Sequence, residues 1–356
     1  MSRGVRAIID LSALVHNFNR VKSLVGSRKI MAMVKCNGYG HGLLPCANAL
    51  SKADALGVAS LNNAIILREY FQQDIVVMSG ITKADEIAVC ADQNILPVIH
   101  HQSQLSLLET LKKKPLTIWL KVDTGMHRLG FLPQELPHVL STLENIKPHV
   151  RIRGLMTHLA DADNQDSHFT QQQIDRFNKM CAGFDGAKSL VNSAGILKYP
   201  NAYADWVRPG IMLYGASPMS NQNGKMHGLK PVMTLQSKLI AIKEVAKGES
   251  IGYGCTWQCP ETMLIGVVAI GYGDGYPRHA TNGTPVLLNG KRIPLVGRVS
   301  MDMITVDLRT ESQAKIGDVV TLWGDGLPIE EVAASAGTIS YELFCQLTSR
   351  VEFDYV

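Results

Sequence analysis

Residues Met31 to Gly42 read MAMVKCNGYGHG. An apolar run ends in Lys35, and Asn37, Tyr39 and three glycines follow at once. A β-strand that stops at a glycine-rich loop puts its last side chains at the rim of a parallel sheet, where α/β folds do their chemistry. Lys35 is therefore either a surface lysine beside a turn or a reactive one, and the fold around it decides which.

Outward from this stretch, short β-branched runs alternate with helical patterns from about Lys29 to Pro209. The runs are KIMAMVK, ALGVAS, IVVMSG, LPVIH, LTIWLKVD, RIRGLMTHLA, SLVNSA and DWVRPG, and amphipathic segments such as NNAIILREYF and FTQQQIDRFNKM lie between them. Alternating βα units form an open doubly wound sheet or a closed barrel, and eight repeats close a (β/α)8 TIM-like barrel. The segment LSALVHNFNRVKSLV, apolar at Leu11, Leu14, Val15, Phe18, Val21 and Val25, reads as a helix ahead of the first strand. After about Lys230 the pattern changes to glycine-punctuated strands, with a hairpin signal at Asn289-Gly290 and short helices near IEEVAASAG and YELFCQL. The expected division is 1–230 for the barrel and 231–356 for a mainly β C-terminal domain, with residues 1–10 able to pack on the latter. The polar stretch SPMSNQNGKMHGLKP between them has linker composition.

Composition bounds the function. With 356 residues, 46% hydrophobic and 19% charged, the chain can bury a large core. The net charge of +4 is spread thinly, and the run Lys112–Lys114 reads as a solvated helix end, so no nucleic-acid partner is expected. Seven scattered cysteines without C-x-x-C pairing read as reduced thiols of a cytoplasmic protein, with no metal site. The N-terminal segment lacks the apolar stretch of a signal peptide, and no window is long and apolar enough for a membrane span.

A barrel should carry its reactive residues just after the C-terminal ends of strands, with phosphate held after the last two. Lys35 follows the first strand, Asp123 and Arg128 the fifth, and His158 the sixth; Asn192 and Ser193 end the seventh, and Arg208, Gly210 and Ile211 follow the eighth. Glycine lets a backbone approach phosphate closely and serine donates a hydroxyl. A lysine opposite such a cradle suggests pyridoxal 5'-phosphate, whose aldehyde a lysine holds as a Schiff base.

VKCNGYGHG resembles the cofactor-attachment signature of alanine racemases. KVDTGMHRLG, THLA, NSAG, WVRPGIMLYG, GYGCTW, AIGYGDGYPR, GRVSMDM and SYELFCQLTSRV follow in that family's order across essentially the whole chain. The resemblance implies a bacterial homodimer that interconverts L- and D-alanine for peptidoglycan, with each active site shared between two subunits. Lys35 would hold the cofactor and act as one base, and Tyr253 of the partner subunit would be the other. Tyr39, Ser193, Gly210, Ile211 and Tyr341 would hold the phosphate, with Asn192 and His158 beside the cofactor. Arg208 would face the pyridine nitrogen, and because arginine does not give up its proton it would leave the ring a weaker electron sink, suited to immediate reprotonation. Arg128 and the backbone of Met301 would bind the substrate carboxylate. Lys121 stands where many members carry a carbamylated lysine, Asp302 accompanies Met301, and Tyr272 would narrow the entrance to small substrates.

A phenol with its ordinary pKa near 10 costs about 4 kcal/mol to ionise at neutral pH, and His158 is the helper the family places beside the tyrosine. This chain departs from the family in having Cys36 and Gly38 where alanines are usual, and His127 where several relatives have glycine. Two alternatives use the same cofactor: an amino-acid decarboxylase of the same two-domain plan, expected to carry a carboxylate in place of Arg208, and a non-catalytic carrier, which would use only a barrel.

Overall fold

The computed structural model describes residues 4–111, 114–146, 149–164 and 168–356. Lys112 and Lys113 of the lysine run lie outside the described residues, and Lys114 pairs with Asp92 at 3.1 Å.

The first strand, β1 (Arg6–Ile9), does not belong to the barrel. Asp10 then caps the helix Leu11–Val25 by accepting from the Ala13 amide at 2.9 Å, and Gly26 ends it at φ 63°. Leu14, Phe18, Val21 and Val25 are buried along one side of this helix, whereas Val15, read as part of the apolar face, stays exposed.

Eight parallel strands follow and close on themselves: β2 (Lys29–Met33), β3 (Ala55–Val58), β4 (Asp74–Val77), β5 (Ile95–Ile99), β6 (Leu116–Lys121), β7 (Val150–Met156), β8 (Ala187–Ser189) and β9 (Trp206–Val207). Pairing of Lys29 with Trp206 and Ile30 with Val207 closes the ring. The strands are short and rich in buried Ile, Val, Leu and Met, as expected of a parallel sheet covered on both faces. Each expected run overlaps one of them, but SLVNSA shares only Ser189 with β8, which runs ahead of it as Ala187–Ser189.

β10 (Met233–Val245) is the spine of the second domain. An irregularity between Leu239 and Ala241 bends it, so its first half pairs with Val319–Trp323 and its second half with Met263–Val268. β1 runs antiparallel to β10 and parallel to Glu352–Tyr355, which ties the N-terminus into this sheet. Asn289 and Gly290, at φ 51° and 77°, make the hairpin turn between Leu288 and Lys291. The stretch from Ser217 to Pro231 is pinned rather than loose, because the Glu330 carboxylate accepts from the Ser217 and Gly224 amides at 2.7 and 2.9 Å.

Candidate active site

The C-terminal ends of the barrel strands surround a cavity of about 560 Å³, lined among others by Lys35, Lys121, Arg128 and Arg208, with no carboxylate among the described lining residues. Tyr39, His158, Asn192, Ser193, Gly210, Ile211 and Tyr341 complete the expected set contributed by the barrel and the helix Ser340–Cys345. Four converging cations without an acid call for an anionic occupant, since buried charge is unfavourable unless paired.

Lys35 stands at the start of a left-handed turn. Cys36, Asn37, Gly38 and Tyr39 have φ of 53°, 54°, 62° and 51°, a conformation that costs an ordinary residue about 1–2 kcal/mol. Asn37 recovers part of that by accepting from the Leu43 amide at 2.9 Å. Tyr39 stacks on Tyr214 at 4.8 Å, and His41, fully buried, lies against Tyr214 and Phe344 and donates from Nδ1 to the Tyr39 carbonyl at 2.8 Å. Burial lowers the His41 pKa to about 4, so it is a neutral support for the turn. Burial, then the neighbouring Arg128 charge, lowers the Lys35 pKa.

The cradle is tight. Ser193 Oγ accepts from the Gly210 amide at 2.9 Å, so its own hydroxyl proton is left for an anion. A Cβ on Gly210 would stand 2.3 Å from the Tyr39 hydroxyl oxygen. No protein acceptor among the described residues takes the Ile211 amide. Asn192, not Ser193, caps the helix Ser193–Lys198 by accepting from the Gly195 amide at 3.0 Å. A phosphate with acceptor oxygens fits the set of Ser193, Ile211, Tyr39 and Tyr341. Burial raises the pKa of both tyrosines, which keeps them hydrogen-bond donors.

Arg208 is fully enclosed. Nη1 donates to Ser189 Oγ at 2.6 Å; Nη2 donates to the carbonyls of Thr157 and of Leu190, the latter at 3.2 Å, and lies 3.5 Å from His158 Nδ1. Burial lowers its pKa to about 10, which still leaves it charged at neutral pH. Facing a guanidinium, His158 Nδ1 can only accept, so the neutral ring carries its proton on Nε2. Burial and then Arg208 hold the His158 pKa well below its ordinary value. Lys121 feels burial, Arg208 and Arg128, which together lower its pKa to about 8. Asp123 does not line the cavity; its Oδ1 accepts from the Gly125 and His127 amides at 2.8 and 3.2 Å. His127 itself sits at φ 53°, which explains why glycine suits that position.

Tyr253, Tyr272, Met301 and Asp302 are absent from the cavity lining. Tyr253 is 70% exposed and Met301 52% exposed on the β domain. The Tyr272 and Gly273 amides bond the carbonyls of Ser300 and Met301, and Arg350 bridges Asp274 at 3.0 Å and Asp302 at 2.5 Å, so the two loops form one unit. Ser189, Thr157 and His41 support the site without having been singled out in the sequence. Ser189 and Thr157 look like any polar residue at a strand end, while the position of His41 in the glycine-rich stretch was the one available signal.

A closed barrel with a lysine after its first strand, an arginine after its last and a β domain that adds residues to that rim defines a two-domain barrel enzyme with an anion-binding centre. The chain matches the family described as "Alanine racemase, N-terminal domain" over residues 9–218 and "Alanine racemase, C-terminal domain" over 232–355. It belongs to the alanine racemase family. A protein of Coxiella burnetii named alanine racemase is 52% identical over 354 residues, covering 98% of this chain and 97% of its own length. One from Nitrosococcus oceani with the same name is 51% identical over 349 residues, covering 97% and 98%. The crystal structure of the biosynthetic alanine racemase from Pseudomonas aeruginosa superimposes with a TM-score of 0.96 at 43% identity, covering 99% of both chains. No helix among the described residues is long and apolar enough to cross a membrane.

Proposed function

We propose that this protein interconverts L-alanine and D-alanine with pyridoxal 5'-phosphate held on Lys35, as a cytoplasmic homodimer supplying D-alanine for peptidoglycan. The observation that carries the reading is the enclosed Arg208 in a cationic cavity with no carboxylate among its described lining residues, where a decarboxylase would be expected to present one. The cofactor, when bound, supplies the electron sink that makes an amino acid's Cα–H acidic.

The chain's residues supply the rest. Ser193, Tyr39, Tyr341 and the Ile211 amide would hold phosphate, the Gly210 amide orients the Ser193 hydroxyl by donating to its Oγ, and Asn192 fixes the helix that presents Ser193. Arg208 would be the residue at the cofactor's ring nitrogen, and it keeps its own proton. Racemisation needs a base on each face of Cα, since a single base returns the proton to the face it left. Lys35 Nζ serves one face, and its lowered pKa raises the share of neutral amine able to accept a proton. Tyr253 Oη of the partner subunit serves the other, with His158 Nε2–H donating to that oxygen and favouring its ionised form. Arg128 and the partner's Met301 amide orient the substrate carboxylate. Tyr272 of the partner subunit, in one unit with Met301, limits the entrance to small side chains.

Lys121 belongs to the same reading as a carbamate. Carbamate formation requires neutral amine, and at a pKa of about 8 roughly a tenth of Lys121 is neutral at pH 7. An anion there would convert repulsion with Arg128 into an attraction that orients it. Incubation with 13C-bicarbonate should give a carbamate carbon signal that Lys121→Met lacks; a bare amine by mass and by this signal would remove the assignment.

The decisive test is L-alanine in deuterated water with cofactor-loaded protein, following optical rotation and α-deuteration together. Decay to a racemic mixture with deuterium at Cα is expected. Unchanged rotation without deuterium, from protein shown to hold the cofactor, would overturn the proposal.

A further inference from the structure

Two cysteines from different domains meet beside Lys35. Cys36 follows Lys35 in the left-handed turn, Cys345 ends the helix Ser340–Cys345 of the β domain, and both line the Lys35 cavity. Both are free and exposed, whereas Cys46, Cys90, Cys181 and Cys259 are buried. Turn and helix are in backbone contact: a Cβ on Gly40 would stand 2.0 Å from the Phe344 carbonyl oxygen and 3.4 Å from the Cys345 amide nitrogen. Burial, then the neighbouring Cys36 side chain, raises the Cys345 thiol to about 12.

We propose that Cys36 and Cys345 form a dithiol that hydrogen peroxide oxidises to a disulfide, locking the Lys35 turn to the β domain and stopping turnover reversibly. The Cys36 thiolate attacks one peroxide oxygen, the O–O bond breaks, and the released hydroxide takes a proton to become water. The Cys345 thiol then bonds the Cys36 sulfenic sulfur, gives up its proton, and a second water leaves. Two thiols are oxidised and one peroxide is reduced by the same two electrons. Peroxide is smaller than an amino acid, so the route that admits substrate admits it. The assignment of Cys36 as attacking thiol follows from Cys345, which keeps its proton at neutral pH.

The activity part rests on the racemase reading; the bond itself does not. Cofactor-loaded protein treated with hydrogen peroxide and digested without reductant should yield a Cys36–Cys345 linked peptide pair. α-Proton exchange of L-alanine should fall at least tenfold and return with dithiothreitol, while Cys36→Ala and Cys345→Ala keep their activity at the same dose. Absence of the linked pair from oxidised wild-type protein, linkage without loss of exchange, or equal inactivation of both variants would each overturn the proposal. Protein that forms the pair yet never exchanged alanine protons would count against the racemase reading alone.

Discussion

Arg208 shows how one residue is fixed for its chemistry. Its guanidinium is held by a hydroxyl from β8, carbonyls that follow β7 and β8, and a histidine ring, so it can neither turn away nor find solvent. Ser189→Ala removes the 2.6 Å partner of Nη1 and leaves a buried charged donor unsatisfied. The expected cost is about 1.5–3 kcal/mol, read as a lower urea midpoint; an unchanged midpoint would mean that Arg208 has other support.

Lys121 gives the complementary case of a charge the fold disfavours. Its pKa is about 8 in the native protein against about 10.4 for an unfolded lysine, so between those values the unfolded chain binds more protons and stability rises with pH. Below pH 8 the full penalty of a few kcal/mol is present; above about 10.5 it is gone. In carbonate-free buffer without cofactor, Lys121→Met should therefore be more stable than wild type at pH 7, and the difference should shrink steadily toward pH 10.5. A difference independent of pH would place the effect in packing rather than in charge.

At the scale of elements, the turn after Lys35 and the helix Ser340–Cys345 act as one joint between the domains. Gly40 sits at φ 81° with the Phe344 carbonyl in the space where a Cβ would go. Gly40→Ala combines backbone strain with overpacking against backbone that cannot swing away, and should destabilise by at least about 2 kcal/mol. Circular dichroism on heating should show a lower Tm and cofactor titration a weaker affinity, because Tyr39 and Tyr341 straddle that joint at 6.1 Å. An alanine variant with wild-type Tm would separate the joint from stability.

The same joint marks how far the sequence can be read. Seven of the eight strands were legible because buried parallel strands need runs of β-branched residues, whereas β8, Ala-Lys-Ser, has none and ends where the expected run begins; the reactive positions were legible because a barrel exposes chemistry only after its strand ends. The left-handed run was not, since Cys36, Asn37 and Tyr39 have no individual preference strong enough to announce it, and tertiary contact imposes it. Nor was the choice of Asn192 over Ser193 as helix cap, because adjacent Asn and Ser satisfy the same local rule and only the packing of Gly210 decides between them.

At the scale of the whole molecule, one chain does not contain the proposed site. Lys35 lies in the barrel cavity while Tyr253, Tyr272 and Met301 stand 70%, 39% and 52% exposed on the β domain, outside that cavity's lining. Under the proposed mechanism, an amino acid bound at Lys35 has a base on one side only until a second subunit brings its β domain across. In a symmetric dimer this happens twice, which makes a mixing experiment decisive. Lys35→Ala and Tyr253→Phe homodimers each lack one base at both sites and should be nearly inactive in racemising alanine. A mixed dimer carries both lesions in one site and neither in the other. Random exchange of equal amounts makes half the dimers mixed, each with one of two sites intact, so activity should recover to about a quarter of wild type. If Tyr253 served the Lys35 of its own chain, every site in the mixture would retain a lesion and no activity would return.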